Sequence, residues 1–239
     1  MGPPGGERLQ KLLATAGLGS RREIEQWIRD GRVSVGERVV QLGDRAAPGD
    51  DIRLDGRRVA LSSGNRQVLL YHKPVGEVTT RHDPAGRPTV FERLPPPAAG
   101  RWVVIGRLDV NTTGLLLFTT DGALAHRLMH PSAEVEREYL VRVHGTPGTE
   151  VIARSRSGVM LEDGMARFEA IEAGGRSESH SWYRVTLREG RNREVRRLWS
   201  ALGYEVSRLS RLRYGSLRLP EDLRPGGWRL LSSAEAALL

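Results

Sequence analysis

The apolar residues of the first sixty positions follow a helical spacing and then an alternating one. In residues 9–17, LQKLLATAG, three leucines share one helical face. Ser20 and Glu23 form the S-x-x-E pattern of a capping box, which predicts the start of a second helix. Alternating residues on either side of Gly36-Glu37 and Asp55-Gly56 predict two hairpins. The residues that we expect to face inward from the helices are Leu9, Leu12, Leu13, Ile24, Trp27 and Ile28.

From Gln67 onward the chain reads as short strands separated by Gly, Pro and Asp. Two helices interrupt them, one at residues 121–129 and one in NREVRRLWSALG, which has an apolar side. The pattern predicts an α+β fold with a largely antiparallel sheet. We expect a small αβ module over residues 7–60, a polar linker over 61–66 and a second domain over 67–239. The runs with β character are QVLLYHKP, RWVVIGRLD, GLLLFTTDG, REYLVRVHG, ARFEAIEA and SHSWYRVTLREG.

Composition narrows the possible functions. The 239 residues include no cysteine, which excludes disulfide scaffolds, zinc ribbons, thiol nucleophiles and iron–sulfur clusters. Basic residues number 37 against 29 acidic ones, for a formal charge of +8, and all of them except Lys11 and Lys73 are arginine. Arginine binds phosphate through two donors and stacks on bases, so this composition favours a nucleic-acid partner. GC-rich codon usage is an alternative explanation for the ratio of arginine to lysine.

Most of the excess positive charge lies in residues 184–218, which hold ten arginines and three glutamates. A solvated surface is one interpretation of such a run, but the imbalance favours a track for RNA or DNA. Near the other end of the chain, Arg21 and Arg22 lie at the start of a predicted helix. Free N–H groups and guanidinium charge there favour a phosphate. The arginines that we assign to the track are Arg191, Arg193, Arg197, Arg211 and Arg213.

The segment IGRLDVNTTGLLLFTTDG at 105–122 holds the strongest catalytic candidate. An apolar strand leads to Asp109, a polar turn follows, and a second apolar strand returns. A carboxylate fixed in such a loop can act as a nucleophile or a general base. The alternative is that Asp109 and Asn111 only form an Asx-type turn.

Other chemistry-bearing residues favour structural roles. His126 and His130 are spaced for one helical face, but Arg127 occupies the position where a metalloprotease motif needs glutamate, so we expect no metal site. No phosphate-cofactor loop accompanies Lys73 in HKP, which favours a structural or RNA-facing role over a Schiff base. The chain has neither G-x-x-x-x-G-K nor G-x-S-x-G.

Nearly the whole chain resembles the pseudouridine synthases that act on ribosomal RNA, of the small-subunit-synthase-like family. GRLDVNTTGLLLFTTDG resembles the catalytic motif of that family. Residues 7–60 resemble its small αL RNA-binding domain. The other similar segments, in order, are YHKPVGEVTTRHDPAGRPTVFERLP, LMHPSAEVEREYLVRVHG and REGRNREVRRLWSALGYEVSRLSRLRYGSLRLP.

The resemblance implies a role for each of five residues. Asp109 matches the indispensable aspartate of the family, and Tyr139 matches the tyrosine that packs against the target base. Arg196 matches the basic residue that pairs with the catalytic carboxylate. Leu209 is the match for an apolar residue of the base pocket. Arg107 matches an arginine expected to hold the RNA backbone and to occupy the space of the extruded base.

The resemblance therefore implies an enzyme that isomerises a specific uridine of 23S ribosomal RNA to pseudouridine. The reaction needs glycosidic bond cleavage, rotation of the uracil and reattachment through C5, and no cofactor or metal. We expect a cytoplasmic monomer with no membrane contact, acting on 23S ribosomal RNA or on a large-subunit assembly intermediate. The alternative is a non-catalytic RNA-binding factor of ribosome assembly that uses the same arginines.

Overall fold

The computed structural model describes residues 6–59, 61 and 66–239. The chain divides into two compact units. The N-terminal unit comprises Met1–Gln67, Pro96–Val103 and Thr119–Gly122, and the C-terminal unit comprises the rest. Residues 62–65 of the predicted linker, like residue 60 at the end of the predicted first domain, lie outside the described residues.

The elements of the first sixty residues follow the predicted pattern. Both helices are confirmed, and the capping box is present, with the backbone N–H of Glu23 donating to Ser20 Oγ at 3.1 Å. Both hairpins are confirmed as pairs of strands within a four-stranded sheet of order β3-β2-β5-β6. The elements are β1 (Glu7–Arg8), α1 (Leu9–Thr15), α2 (Arg21–Arg29), β2 (Val33–Val35), β3 (Arg38–Val39), β4 (Arg45–Ala46), β5 (Ile52–Leu54) and β6 (Arg57–Arg58).

The core of the N-terminal unit is built from the predicted helix faces. Leucines of α1, isoleucines of α2 and strand residues such as Val33 and Ile52 are buried together, and Trp27 packs against them partly exposed. The turn between β5 and β6 requires the left-handed backbone at two successive residues, Asp55 at φ 51° and Gly56 at φ 75°. Asp-Gly is a preferred pair for such a turn, because its twist matches that of the flanking strands.

The remaining elements form one large sheet, a separate two-stranded sheet of β11 and β12, and helices. They are β7 (Val68–Lys73), β8 (Val103–Ile105), β9 (Thr113–Thr119), α3 (Gly122–Met129), a 3₁₀ turn (Pro131–Ala133), β10 (Arg137–His144), α4 (Thr149–Ser157), β11 (Val159–Leu161), β12 (Gly164–Ala166), β13 (Ala170–Arg176), β14 (His180–Leu187), α5 (Glu194–Ala201), β15 (Val206–Tyr214), β16 (Leu217–Arg218), β17 (Trp228–Leu230) and α6 (Ser233–Ala237). Helices α4 and α6 were not expected from the sequence pattern.

The large sheet has the order β13-β14-β10-β15-β9-β7-β17, with β16 beside β15 and β8 beside β9. The pair β15–β9 is parallel and the pairs around β10, β13, β14 and β17 are antiparallel, so the predicted α+β fold with a largely antiparallel sheet is confirmed. The register between β10 and β15 shifts twice, between Glu138 and Tyr139 and between Arg142 and Val143.

One face of this sheet is covered by α5 and carries the main core of the C-terminal unit. Trp199 is fully buried there, with Val141 of β10 and Val185 of β14. Val195 and Leu198 of α5, with Leu202 just after it, complete the apolar side predicted for NREVRRLWSALG and are buried in the same cluster. Within the described residues, no helix is both long enough and apolar enough to cross a membrane.

Candidate active site

Asp109 lies in a short turn between β8 and β9 that the surrounding backbone holds firmly. The backbone N–H of Thr112 donates to the carbonyl of Asp109 at 3.0 Å. The hydroxyl of Thr79 donates to the carbonyl of Leu108 at 2.8 Å and accepts from the Leu108 N–H at 3.3 Å. The turn is thus held by the main chain of Thr112 and the side chain of Thr79. The Asp109 carboxylate accepts no hydrogen bond from it, in contrast to the Asx-type alternative.

The Asp109 carboxylate lies on the wall of a cavity of about 1580 Å³. Three further predicted residues line the same cavity: Arg107, which is exposed, Tyr139, which is half-buried, and Leu209, which is 7% exposed. Tyr139 comes from β10 and Leu209 from β15, so adjacent strands bring a phenol ring and an aliphatic side chain to the cavity that holds the carboxylate. Four glutamates, Glu134, Glu169, Glu189 and Glu194, also line the cavity. A cavity that brings the Asp109 carboxylate together with arginines and an aromatic ring can accept an extruded base and its phosphates.

The cation nearest to the Asp109 carboxylate is Arg193. Its Nη1 lies 3.8 Å from Asp109 Oδ2, and the two side chains are 51% and 29% exposed. Arg193 occupies the left-handed region, at φ 49°, immediately before α5. A non-glycine residue rarely adopts this conformation, and residues that do so cluster at functional sites. The sequence predicts Arg193 only as part of an RNA track. Its position beside Asp109 depends on the left-handed backbone, which the residues GRNRE do not reveal.

Arg196 does not form the direct pair with Asp109 that the resemblance implies. Its two terminal nitrogens donate to the carbonyls of Val206 and Asn111, each at 2.9 Å, and it does not line the cavity. Burial lowers the pKa of Arg196, and the charge of Arg193 lowers it further, while Asp109 opposes both effects. Arg196 therefore acts on Asp109 through its charge and holds the turn through Asn111, while Arg193 occupies the position closest to the carboxylate.

Lys73 is buried beneath the same turn, at the end of β7. Its side chain is fully buried, and its Nζ donates to the carbonyls of Pro74 at 2.8 Å and Thr112 at 2.9 Å. Burial lowers the pKa of Lys73 to about 8, against the attraction of Glu77 and Asp109. Of the two roles expected for Lys73, structural or RNA-facing, its burial and its backbone partners favour the structural one.

Four of the arginines assigned to the RNA track are engaged inside the protein. The assignment of Arg211 is corrected: it is 2% exposed, its Nε donates to the carbonyl of Leu115 at 2.8 Å and its guanidinium lies 5.1 Å from the Tyr214 ring. The other three arginines pair with carboxylates: Arg213 with Glu136 and Glu138, Arg191 with Glu189 and Asp163, and Arg197 with both oxygens of Asp163.

Arg21 and Arg22 occupy the first turn of α2, as predicted. Both side chains are exposed and form no hydrogen bond or ion pair within the described part of the chain. Arg21 also lines a second cavity of about 530 Å³, which lies entirely in the N-terminal unit, together with Arg8, Lys11 and Arg45. Among residues 6–59, 61 and 66–239, no group of three or more His, Asp or Glu side chains could hold a metal ion.

Comparisons with known proteins identify the family of the chain. The family described as RNA pseudouridylate synthase matches residues 67–201, and the S4 domain matches residues 7–52. The chain is 56% identical to the ribosomal large subunit pseudouridine synthase B of Escherichia coli strain K12, over 98% of this chain and 82% of that protein. It is 58% identical to the protein of the same name from Yersinia pestis, over 93% of this chain and 72% of that protein.

A solved structure described as a pseudouridylate synthase has 29% sequence identity to this chain. The structural match covers 97% of this chain and 99% of the chain in that structure, with a TM-score of 0.68. The similarity therefore extends over both units and not only over the segment around Asp109.

Proposed function

Because the chain belongs to the RNA pseudouridylate synthase family, we propose that it isomerises a specific uridine of 23S ribosomal RNA to pseudouridine with Asp109 as the catalytic residue. The chain is an RNA pseudouridine synthase of α+β fold with an N-terminal S4 domain. The relatives that it matches over nearly its full length are named for the large ribosomal subunit, which supports that substrate.

One observation supports the catalytic role of Asp109 above all others. A carboxylate on a turn held by backbone hydrogen bonds lines a large cavity together with Tyr139 and Arg107. The reaction breaks the bond from N1 to C1′ and forms one from C5 to C1′. A proton is lost from C5 and one is gained at N1, so the atoms are conserved. The carboxylate either attacks C1′ or removes a proton at C2′, and both routes need it ionised and close to the sugar.

Three basic side chains lie near the Asp109 carboxylate. Arg193 is 3.8 Å away, and the buried charges of Lys73 and Arg196 both interact with the carboxylate. Since Arg193 is half-exposed, it can also reach a phosphate of the bound RNA without losing its place beside the cavity.

The target uridine must leave its base stack to reach the cavity, which costs a few kcal/mol. Stacking of the uracil on Tyr139 returns roughly 1–3 kcal/mol, which is similar to that cost. Leu209 supplies apolar surface beside the base, and Arg107 holds the RNA backbone and occupies the space that the base vacates. These roles are part of the proposal.

We propose residues 7–60 as the RNA-binding domain and residues 67–239 as the catalytic domain. Arg21 and Arg22 are proposed to bind phosphates at the start of α2. The protein acts as a cytoplasmic monomer without cofactor or metal, on 23S ribosomal RNA or on a large-subunit assembly intermediate. The competing function is a non-catalytic assembly factor that binds the same RNA.

The substitution Asp109→Asn separates these two functions. It should abolish pseudouridine formation in large-subunit RNA while leaving RNA affinity nearly unchanged, because the amide has the same size but cannot act as nucleophile or base. Asp222→Asn is the matched control at an exposed site and should retain full activity. Pseudouridine mapping of ribosomal RNA from cells that carry each variant measures the result. If the Asp109→Asn protein still modifies the RNA, the catalytic assignment is wrong.

A further inference from the structure

Carboxylates neutralise much of the positive charge on β14 and β15, but not all of it. The buried Glu138 pairs with Arg184 at 2.8 Å, with Arg213 at 3.2 Å and with Arg218 at 3.3 Å. Burial alone raises the pKa of Glu138, but these guanidinium groups outweigh that effect and leave the pKa below its usual value. A segment rich in arginine therefore does not by itself form a basic surface. The positive charge of the surface comes from the arginines that have no carboxylate partner.

Two arginines without a carboxylate partner stand side by side on the face of the sheet opposite α5. Arg142 of β10 is directly opposite Arg208 of β15 on one side and Trp182 of β14 on the other. We call Arg142, His144, His180, Trp182 and Arg208 the basic face. Their orientation follows from strand alternation, since Val141, Val143 and Tyr183 point into the core on the other side.

The basic face is ordered by contacts among its own members. The Arg142 Nε donates to the hydroxyl of Ser207 at 2.9 Å, and its guanidinium carbon lies 5.7 Å from the centre of the Trp182 ring. In the next row of the sheet, His144 is opposite His180, with ring centres 5.0 Å apart. An arginine, an aromatic ring and two imidazoles thus lie together, with Trp182 half-buried and Arg208 exposed.

The charge on this face is uncompensated. No carboxylate of the described residues lies within 4.0 Å of the guanidinium group of Arg142 or Arg208. The pKa of His180 lies below its usual value, first through burial and then through electrostatic interaction with Arg142, His144 and Arg208. Like charges placed directly opposite on neighbouring strands destabilise a sheet. Such an arrangement is expected where an anionic partner covers it.

We propose that the basic face binds a second segment of the substrate RNA, with phosphates on Arg142 and Arg208 and a base stacked on Trp182. The inference rests on the proposed function, which supplies the RNA. A cationic groove beside an aromatic side chain is the chemistry that binds unpaired nucleotides. An acidic protein surface would use the arginines but gain little from the half-buried tryptophan ring, so RNA fits this face better. Tyr139 and Leu209 face the opposite side of the sheet. An RNA that contacts both the cavity and the basic face must therefore extend well beyond the nucleotides next to the flipped uridine.

The test compares two RNAs and two pairs of substitutions. The RNAs are a short stem–loop that holds the target uridine and a long transcript of the surrounding large-subunit RNA. The test pair is Arg142→Gln with Arg208→Gln, and the control pair is Arg154→Gln with Arg224→Gln, which removes the same charge from two other exposed arginines. Circular dichroism and thermal unfolding establish that each variant is folded.

The expected result is a change in salt dependence that is specific to the long transcript. Each lost phosphate contact lowers the log–log slope of affinity against salt by ~0.7–0.9. The test pair should therefore lower the slope by ~1.4–1.8. The ratio of wild-type to variant affinity should then fall about tenfold between about 50 mM and about 200 mM salt. Trp182→Leu should lower affinity for the long transcript about fivefold or more at an unchanged slope, since it removes stacking and no charge.

Two results overturn the proposal. One is an unchanged slope for the test pair on the long transcript, which would point to an acidic protein as the partner of this face. The other is an equal loss for the test and control pairs, which would show only a general effect of net charge. A wild-type protein that binds RNA but forms no pseudouridine would refute the proposed function instead, and the pseudouridine assay on the short stem–loop detects that case separately.

Discussion

Lys73 gives a quantitative prediction about stability, because it places an ammonium group in the interior beneath the Asp109 turn. The substitution Lys73→Met keeps most of the side-chain volume and removes the charge. Burial lowers the pKa of Lys73 from 10.5 to about 8 in the folded state. Between these two values the unfolded chain holds a proton that the folded chain has released. The free energy of unfolding of the wild type therefore rises with pH in this window.

The size of the effect follows from the shift. One pKa unit corresponds to about 1.4 kcal/mol, so the contribution of Lys73 grows by about 2–3 kcal/mol between about pH 7 and about pH 10. It is fully present above the unfolded pKa and is lost as the pH falls through about 8. The methionine variant lacks this contribution at every pH. It also leaves the carbonyls of Pro74 and Thr112 without their donor, at a cost of about 1–3 kcal/mol each that does not depend on pH.

Urea unfolding of both proteins at several pH values measures the difference. We expect the wild type to gain about 2–3 kcal/mol on the variant as the pH rises from about 7 to about 10. Lys11→Met is the control, since Lys11 is the other lysine of the chain and its side chain is 37% exposed. That variant should keep the pH dependence of the wild type. Parallel curves for the wild type and Lys73→Met would refute the reasoning.

Three further predictions concern both units. Arg211→Met should lower the free energy of unfolding by about 1–3 kcal/mol, measured with urea, and leave the salt dependence of RNA binding unchanged, because this guanidinium is buried. Arg21→Gln with Arg22→Gln should lower that salt slope by ~1.4–1.8 in binding titrations, whereas Arg38→Gln, which breaks only an internal ion pair, should not. Ser20→Ala should cost about 1 kcal/mol in thermal unfolding through loss of the capping box, and an unchanged melting temperature would contradict this.

The features that could be predicted from the sequence are those that neighbouring residues determine. The capping box at Ser20, the Asp55-Gly56 turn and the apolar side of α5 are set by residues within one turn or one hairpin, and all were confirmed. Helix α4 was missed because it has almost no apolar face: within it only Ser155 is buried. The run ARFEAIEA was predicted as one strand, but the chain leaves the strand after Ala166 and resumes at Ala170.

The arginines show where sequence reasoning fails. Arg211 and Arg213 are two residues apart in one basic segment, yet the first is buried against Tyr214 and the second pairs with Glu138, 75 residues away in the chain. Which arginine meets a carboxylate depends on strand pairing, and the pairing of β10 with β15 is not visible in local sequence. For the same reason the sequence could place Asp109 in a turn but could not show that Arg193 would be the cation beside it.

The two register shifts between β10 and β15 bound a stretch of four residues, Tyr139–Arg142, that belongs to both proposed RNA contacts. Side chains alternate along this stretch, so Tyr139 projects toward the cavity and Arg142 toward the opposite surface. Loss or gain of a single residue between the shifts would send each side chain to the wrong side. Insertions and deletions should therefore be excluded from this stretch in functional relatives of the protein, while the loops at either end of β10 remain free to vary in length.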